Sequence, residues 1–79
     1  MELLLLVRED CELCEQMQQE LAGLASSVTL PAFSLRDVDS DPEWRRRFGL
    51  KVPVLLWDGQ PIAVTRLDPV EIQRLFRPR

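Results

Sequence analysis

Residues 3–7, "LLLLV", form a continuous apolar run with Glu2 before it and Arg8-Glu9-Asp10 after it. Five residues is strand length, and a strand with no polar alternation must be buried on both faces. The chain therefore has to place this segment inside a sheet, with other elements packed above and below it. The run is too short and its flanks too acidic for a signal peptide or a membrane span, so a cytoplasmic protein is expected.

The covering elements can be read downstream. From Cys11 the apolar residues fall at Leu13, Cys14, Met17, Leu21, Leu24 and Ala25, with Glu15, Gln18, Gln19 and Glu20 between them. That spacing describes one face of an amphipathic helix. "PAFSLRDVD" sets Phe33 and Leu35 against Ser34 and Arg36, the alternation of a half-exposed strand, and strand, helix and strand make a parallel unit with a right-handed crossover. "SDPEWRRRFGLK" carries Asp41 as N-cap, Pro42 at the first helical position and Gly49 to end a short second helix. "VPVLLWDGQPIAV" predicts two strands joined at Asp58-Gly59, and Pro61, which cannot donate to a ladder, sends the last strand to an edge, beginning at or just after that proline. "LDPVEIQRLF" repeats the helix grammar: Asp68 as N-cap, Pro69 next, Glu71 as capping-box partner, and Val70, Ile72, Leu75 and Phe76 as the apolar stripe.

With 79 residues, 46% apolar and 29% charged, the chain is expected to form one domain over residues 1–79. The net charge of −3 conceals an asymmetry: residues 1–43 hold ten acids and two arginines, a balance of −8, and residues 44–79 hold eight basic residues and three acids, a balance of +5. An overall acidic chain with no broad basic and aromatic surface is not expected to bind nucleic acid, and the "WRRRF" arginines read first as a solvated helix face suited to the C-terminal end of the dipole.

Cys11 and Cys14 fall at the junction of the first strand and first helix. A thiol at a helix N-terminus faces unpaired N–H groups and the positive end of the dipole, which favour the reactive thiolate, and a spacing of three sets one cysteine at the end and the other a turn inside. This pattern suits a dithiol redox pair in which the outer thiol attacks a disulfide and the inner one resolves it. Two other readings stand beside it. The cysteines could be packed and inert, or they could form half of a metal or iron–sulfur site, although two cysteines and no histidine leave zinc short of ligands within one chain. No metal site is expected.

"CELC" after a buried first strand, followed by "VDSDPEWRRRFGLKVPVLLWDGQPI" and a closing helix, resembles the thioredoxin superfamily and, within it, the small glutaredoxin-like domains. The resemblance runs nearly end to end. It implies an α/β, thioredoxin-like fold ordered β-α-β-α-β-β-α, with a four-stranded mixed sheet and helices on both faces. It also implies thiol–disulfide exchange with Cys11 as nucleophile and Cys14 as resolving thiol, a cis peptide at Pro53 beside the cysteines, and substrate docking at Val52, Pro53 and Arg8. A proline there leaves the neighbouring backbone free of ladder pairing, so Val52 can bond an extended peptide or glutathione. The implied partners are a disulfide-containing protein or glutathione as co-substrate, with no resident cofactor. A small acidic chain with few hydrophobic surface signals and no apolar run of membrane length is expected to be a monomer away from membranes.

Three departures bear on that resemblance. Glu12 and Leu13 replace the usual Pro-Tyr between the cysteines, and "IAVTRLD" stands where glutaredoxins carry a glycine pair that helps bind glutathione. Arg8 matches the basic residue often found before the motif, yet Glu9, Asp10, Glu12 and Glu15 surround the same place. A carboxylate about 7 Å from a thiolate opposes it by about 0.6 kcal/mol in water and about 2.4 at an effective dielectric of 20, enough to offset a helix end. Cys11 is thus expected to be less acidified than in a typical glutaredoxin, and the alternative of a redox-silent binding module using the Val52-Pro53 groove keeps its place. A metal or iron–sulfur carrier is the more distant reading.

Overall fold

In the computed structural model, which describes residues 2–78, the apolar run becomes β1 (Leu3–Val7) and lies inside a four-stranded sheet. The strand order is β2–β1–β3–β4, with β2 (Phe33–Asp37) parallel to β1, and β3 (Val54–Trp57) and β4 (Gln60–Val64) antiparallel to their neighbours. Helices α1 (Glu12–Leu24), α2 (Pro42–Phe48) and α3 (Pro69–Leu75) complete the chain, with a single turn of 3-10 helix at Val38–Ser40 before α2.

The absence of alternation in β1 has a direct structural meaning. Leu3 and Leu5 enter one core with Met17 and Leu21 of α1 and Ile72 and Phe76 at α3. Leu6 enters the other, with Val38, Phe48, Val54 and Leu56, and Leu4 packs against it. The pleat sends successive residues to opposite faces, and every face has a helix to meet. Leu3, Leu5 and Leu6 are all buried, and full burial of such a side chain contributes about 1.5–3 kcal/mol each.

The helix punctuation acts as read. The Asp41 carboxylate accepts from the N–H groups of Glu43 and Trp44 at 2.8 and 3.1 Å, and Asp68 accepts from Val70 N–H at 3.0 Å. Asp58 and Gly59 both have positive φ (50° and 85°), as a two-residue hairpin turn requires. Trp57, beside that turn, meets Phe76 edge-on with ring centroids 5.2 Å apart.

Four expectations are corrected. β4 begins at Gln60, one residue before Pro61, and the ladder absorbs the proline by a bulge: Leu56 pairs with Pro61 and Leu55 with Ala63, which leaves Ile62 as the extra residue. On β2, Leu35 is 42% exposed, because the strand lies at the sheet edge. On α3 only Ile72 and Phe76, four residues apart, are buried, while Val70 and Leu75 face outward. Glu71 makes no capping box, its carboxylate lying 3.9 Å from Arg74 instead.

Candidate active site

The strand registers gather the site at one end of the sheet. β1 runs out at Val7 and leads within four residues to Cys11, while antiparallel β3 begins at Val54, paired with Leu6. The preceding Val52 and Pro53 therefore arrive at the same end as the cysteines. β4 finishes there too, with Val64 paired to Val54, and so does β2, with Asp37 paired to Val7.

Cys11 is the N-cap of α1, with extended backbone (φ −113°, ψ 107°), and its Sγ accepts a hydrogen bond from Cys14 N–H at 3.2 Å. Among N-caps the side-chain acceptor is normally an oxygen, and here a sulfur occupies the same place. Asp10 reaches it through a positive φ of 55° that turns the chain into the helix. Cys14 is 3% exposed and Cys11 half-buried, so the pair has one accessible and one sheltered sulfur. Their Cα atoms are 5.2 Å apart and the two sulfurs are joined as a disulfide. Glu9, Asp10, Glu12 and Glu15 are all exposed around this helix start.

Arg8 has partners that sequence spacing does not reveal. Its Nε and one terminal nitrogen donate to the two Asp39 carboxylate oxygens at 3.1 and 3.0 Å, and its other terminal nitrogen donates to the Gly49 carbonyl at 2.7 Å. The fork thus ties the end of β1 to the 3-10 turn and to the C-terminus of α2. The Asp39 hydrogen bonds raise the Arg8 pKa and, in return, hold the Asp39 carboxyl below the usual carboxylate range. Arg8 makes no hydrogen bond to the Cys11 sulfur, and its charge is offset by Asp39. Gly49 is required here by proximity: a Cβ on it would lie 2.5 Å from the Arg45 carbonyl oxygen. The remaining α2 arginines stay on the surface, Arg46 paired to Glu43 at 2.6 Å and Arg47 over the Phe48 ring at 4.7 Å.

The Val52–Pro53 peptide is cis, and the Pro53 side chain is fully buried. Val52 is half-buried, and among the described residues neither its N–H nor its carbonyl has a hydrogen-bond partner. Its neighbours are satisfied: Lys51 N–H bonds to Phe48 O at 2.8 Å, the Lys51 carbonyl accepts from Thr65 Oγ1 at 2.8 Å, and the Pro53 carbonyl accepts from Thr65 N–H at 2.7 Å. Thr65 has φ 68°, a left-handed conformation that is an outlier for a β-branched residue, and Arg66 N–H bonds back to Val64 O at 2.7 Å across it. A γ-turn of this hand is rare, and such a residue costs about 1–3 kcal/mol. Asp39 and Thr65 are the two site-building residues that sequence reading misses. Neither is singled out by a spacing or a cap signal, and a positive φ points to glycine or asparagine before threonine.

A recess of about 90 Å³ lies between α1 and the β4–α3 connection, lined by Leu13, Gln16 and Met17 on one side and Thr65 and Arg66 on the other. No group of three or more metal-ligating side chains occurs among the described residues, and none of their helices is long and apolar enough to cross a membrane.

A disulfide-distance Cys-x-x-Cys at the first helix of a β2–β1–β3–β4 sheet agrees with what comparison finds: the profile of the glutaredoxin-like domain (DUF836) matches residues 2–77. The chain belongs to that family. Among solved structures, this glutaredoxin-like domain is similar to the Northeast Structural Genomics target protein XcR50 from X. campestris, with 30% identity, a TM-score of 0.72 and 92% of each chain covered. No curated protein matches it. The thioredoxin-like fold, with helices on both faces of a mixed sheet, follows from the structure and this likeness together.

Proposed function

We propose that this glutaredoxin-like domain is a small thiol–disulfide oxidoreductase working through Cys11 and Cys14. The observation that carries the reading is the accessible Cys11 sulfur at the N-cap of α1, hydrogen-bonded by Cys14 N–H, at the sheet end where Val52 keeps its main-chain groups open.

The reaction balances within the site. In the reduced protein the Cys11 thiolate attacks one sulfur of a substrate disulfide, forming a mixed disulfide and releasing the other substrate sulfur as a thiolate that takes a proton from water. The Cys14 thiolate then attacks the Cys11 sulfur, expels the second substrate thiolate, and leaves the Cys11–Cys14 disulfide. Two electrons have passed to the substrate, and an external dithiol restores the protein. With no histidine in the chain, stabilisation of the Cys11 thiolate comes from the helix end and the Cys14 N–H. Val52 and Pro53 dock an extended segment of the substrate, and Arg8 adds a positive field.

The surrounding carboxylates and the missing glycine pair favour a polypeptide disulfide over glutathione, an anion, as the substrate. The domain would act in a reducing compartment such as the cytoplasm, as a monomer without a resident cofactor or metal. A redox-silent binding module is favoured by one observation, the four exposed carboxylates at the helix start, which oppose a thiolate there. Titration of the purified protein against a glutathione redox series, with free thiols counted by alkylation and mass, separates the two. A two-electron transition at a cytosol-compatible potential is expected, whereas cysteines that never form an intramolecular disulfide in the series leave binding as the function.

A further inference from the structure

We propose that Thr65 is a positioning residue for the substrate-docking edge, holding Lys51 and Pro53 so that Val52 alone presents open main-chain groups to an extended polypeptide disulfide. The proposal rests on the oxidoreductase reading and names how its docking edge is built.

Two observations on Thr65 converge. Its backbone lies at φ 68° under an Arg66-to-Val64 hydrogen bond, in a turn that glycine would adopt without steric cost. What threonine supplies and glycine lacks is a hydroxyl, and that hydroxyl bonds to the Lys51 carbonyl across fourteen positions of sequence. The second observation is the pattern of satisfied groups. Thr65 takes the carbonyl on each side of Val52, one with its side chain and one with its main chain, and takes neither group of Val52 itself. A residue serving only to end β4 would have no reason to reach Lys51, since the regular ladder stops at Val54–Val64. With the flanking carbonyls occupied, an incoming strand finds a single register in which to pair, which fixes where its disulfide falls relative to Cys11. A small disulfide with no peptide main chain has no use for that edge.

The test compares two substrates in the full chain with dithiothreitol as electron donor: insulin, whose disulfides lie in polypeptide, and 2-hydroxyethyl disulfide, which has no main chain. Thr65→Val keeps the shape and removes the hydroxyl, and it is expected to lower kcat/KM for insulin about five- to tenfold, mostly through KM. The rate on 2-hydroxyethyl disulfide stays within a factor of two, and Thr65→Ser, which restores the hydroxyl, recovers the insulin rate. Equal losses on both substrates, or no loss on either, would overturn the proposal, as would a parent protein that reduces the small disulfide and not insulin. A parent inert towards both removes the oxidoreductase reading itself and the proposal with it. Thermal unfolding of the Val and Ser variants separates general destabilisation, which Ser does not rescue selectively, from loss of the docking edge.

Discussion

The proposed site has two halves that are built in different ways. The reactive half, Asp10 to Cys14, is local: one turn of helix sets both sulfurs, and the hydrogen bond to the Cys11 sulfur comes from three residues away. The docking half, Lys51 to Pro53, is assembled from a distance. Thr65 holds it from beyond the β3–β4 hairpin, and the α2 terminus just before it is fixed by Arg8 reaching Gly49 from forty-one positions earlier. Chemistry at the first half needs little more than α1, while recognition at the second needs the whole sheet end to be in order. Mild destabilisation should therefore blunt substrate selection before it abolishes thiol reactivity.

The largest effects should come from the reactive half. Cys11→Ser is expected to abolish turnover, and Cys14→Ser to retain the first step only, accumulating a mixed disulfide with substrate that mass spectrometry detects. If the Cys14 variant instead turns over like the parent, the assignment of inner and outer sulfur is wrong. Next in size is Gly49→Ala, which forces a Cβ against the Arg45 carbonyl at the helix end that Arg8 holds. A loss of about 1–3 kcal/mol in chemical denaturation is expected, with insulin reduction impaired more than alkylation of the reduced cysteines. Equal impairment would erase the distinction between the halves.

Smaller effects sharpen the electrostatic side. Replacing Glu12 and Glu15 together by Gln should speed iodoacetamide alkylation of the reduced protein at pH 7 by about three- to tenfold, because two carboxylates no longer oppose the thiolate. An unchanged rate would mean that solvent already screens them. The smallest effect is the pH dependence of the Arg8–Asp39 pair. The Asp39 pKa is depressed on folding, so its contribution to stability is fully present above the unfolded carboxylate value near 3.9 and is lost as pH falls through the lower folded value. The stability difference between the parent and Asp39→Asn should then be constant from about pH 6 to 8 and vanish in strong acid. A difference that grows on acidification would contradict this sign.

Much of the fold was legible because its signals are local. Asp41 with Pro42, Asp68 with Pro69 and the Asp58-Gly59 turn each act within a few residues, and the unbroken apolar run of β1 demanded cover on both faces, which α1 and α3 on one side and α2 on the other provide. The placement of Cys11 and Cys14 at the start of α1 was legible for the same reason. The outward turn of Val70 and Leu75 was not, since a seven-residue helix buries a stripe narrower than its apolar content. The Arg8–Asp39 fork was hidden as well: the two residues are thirty-one positions apart, and any of several nearby acids would have served as well on paper. Thr65 was illegible in a deeper sense, because its conformation runs against its own backbone preference and is imposed by partners at Lys51 and Pro53.

The two outer strands leave this sheet with unequal rims. β4 carries Pro61, which has no N–H to offer, and a bulge at Ile62 that breaks the repeat a neighbouring strand would have to match. β2 has five residues without proline or bulge in an even parallel register, and exposes Leu35 at its centre. Growth of the sheet by intermolecular pairing is blocked on the first rim and guarded on the second only by the charges of Arg36 and Asp37. A destabilised copy of the domain would thus be expected to aggregate through β2, and a lysine in place of Leu35 is the substitution that should keep it in solution.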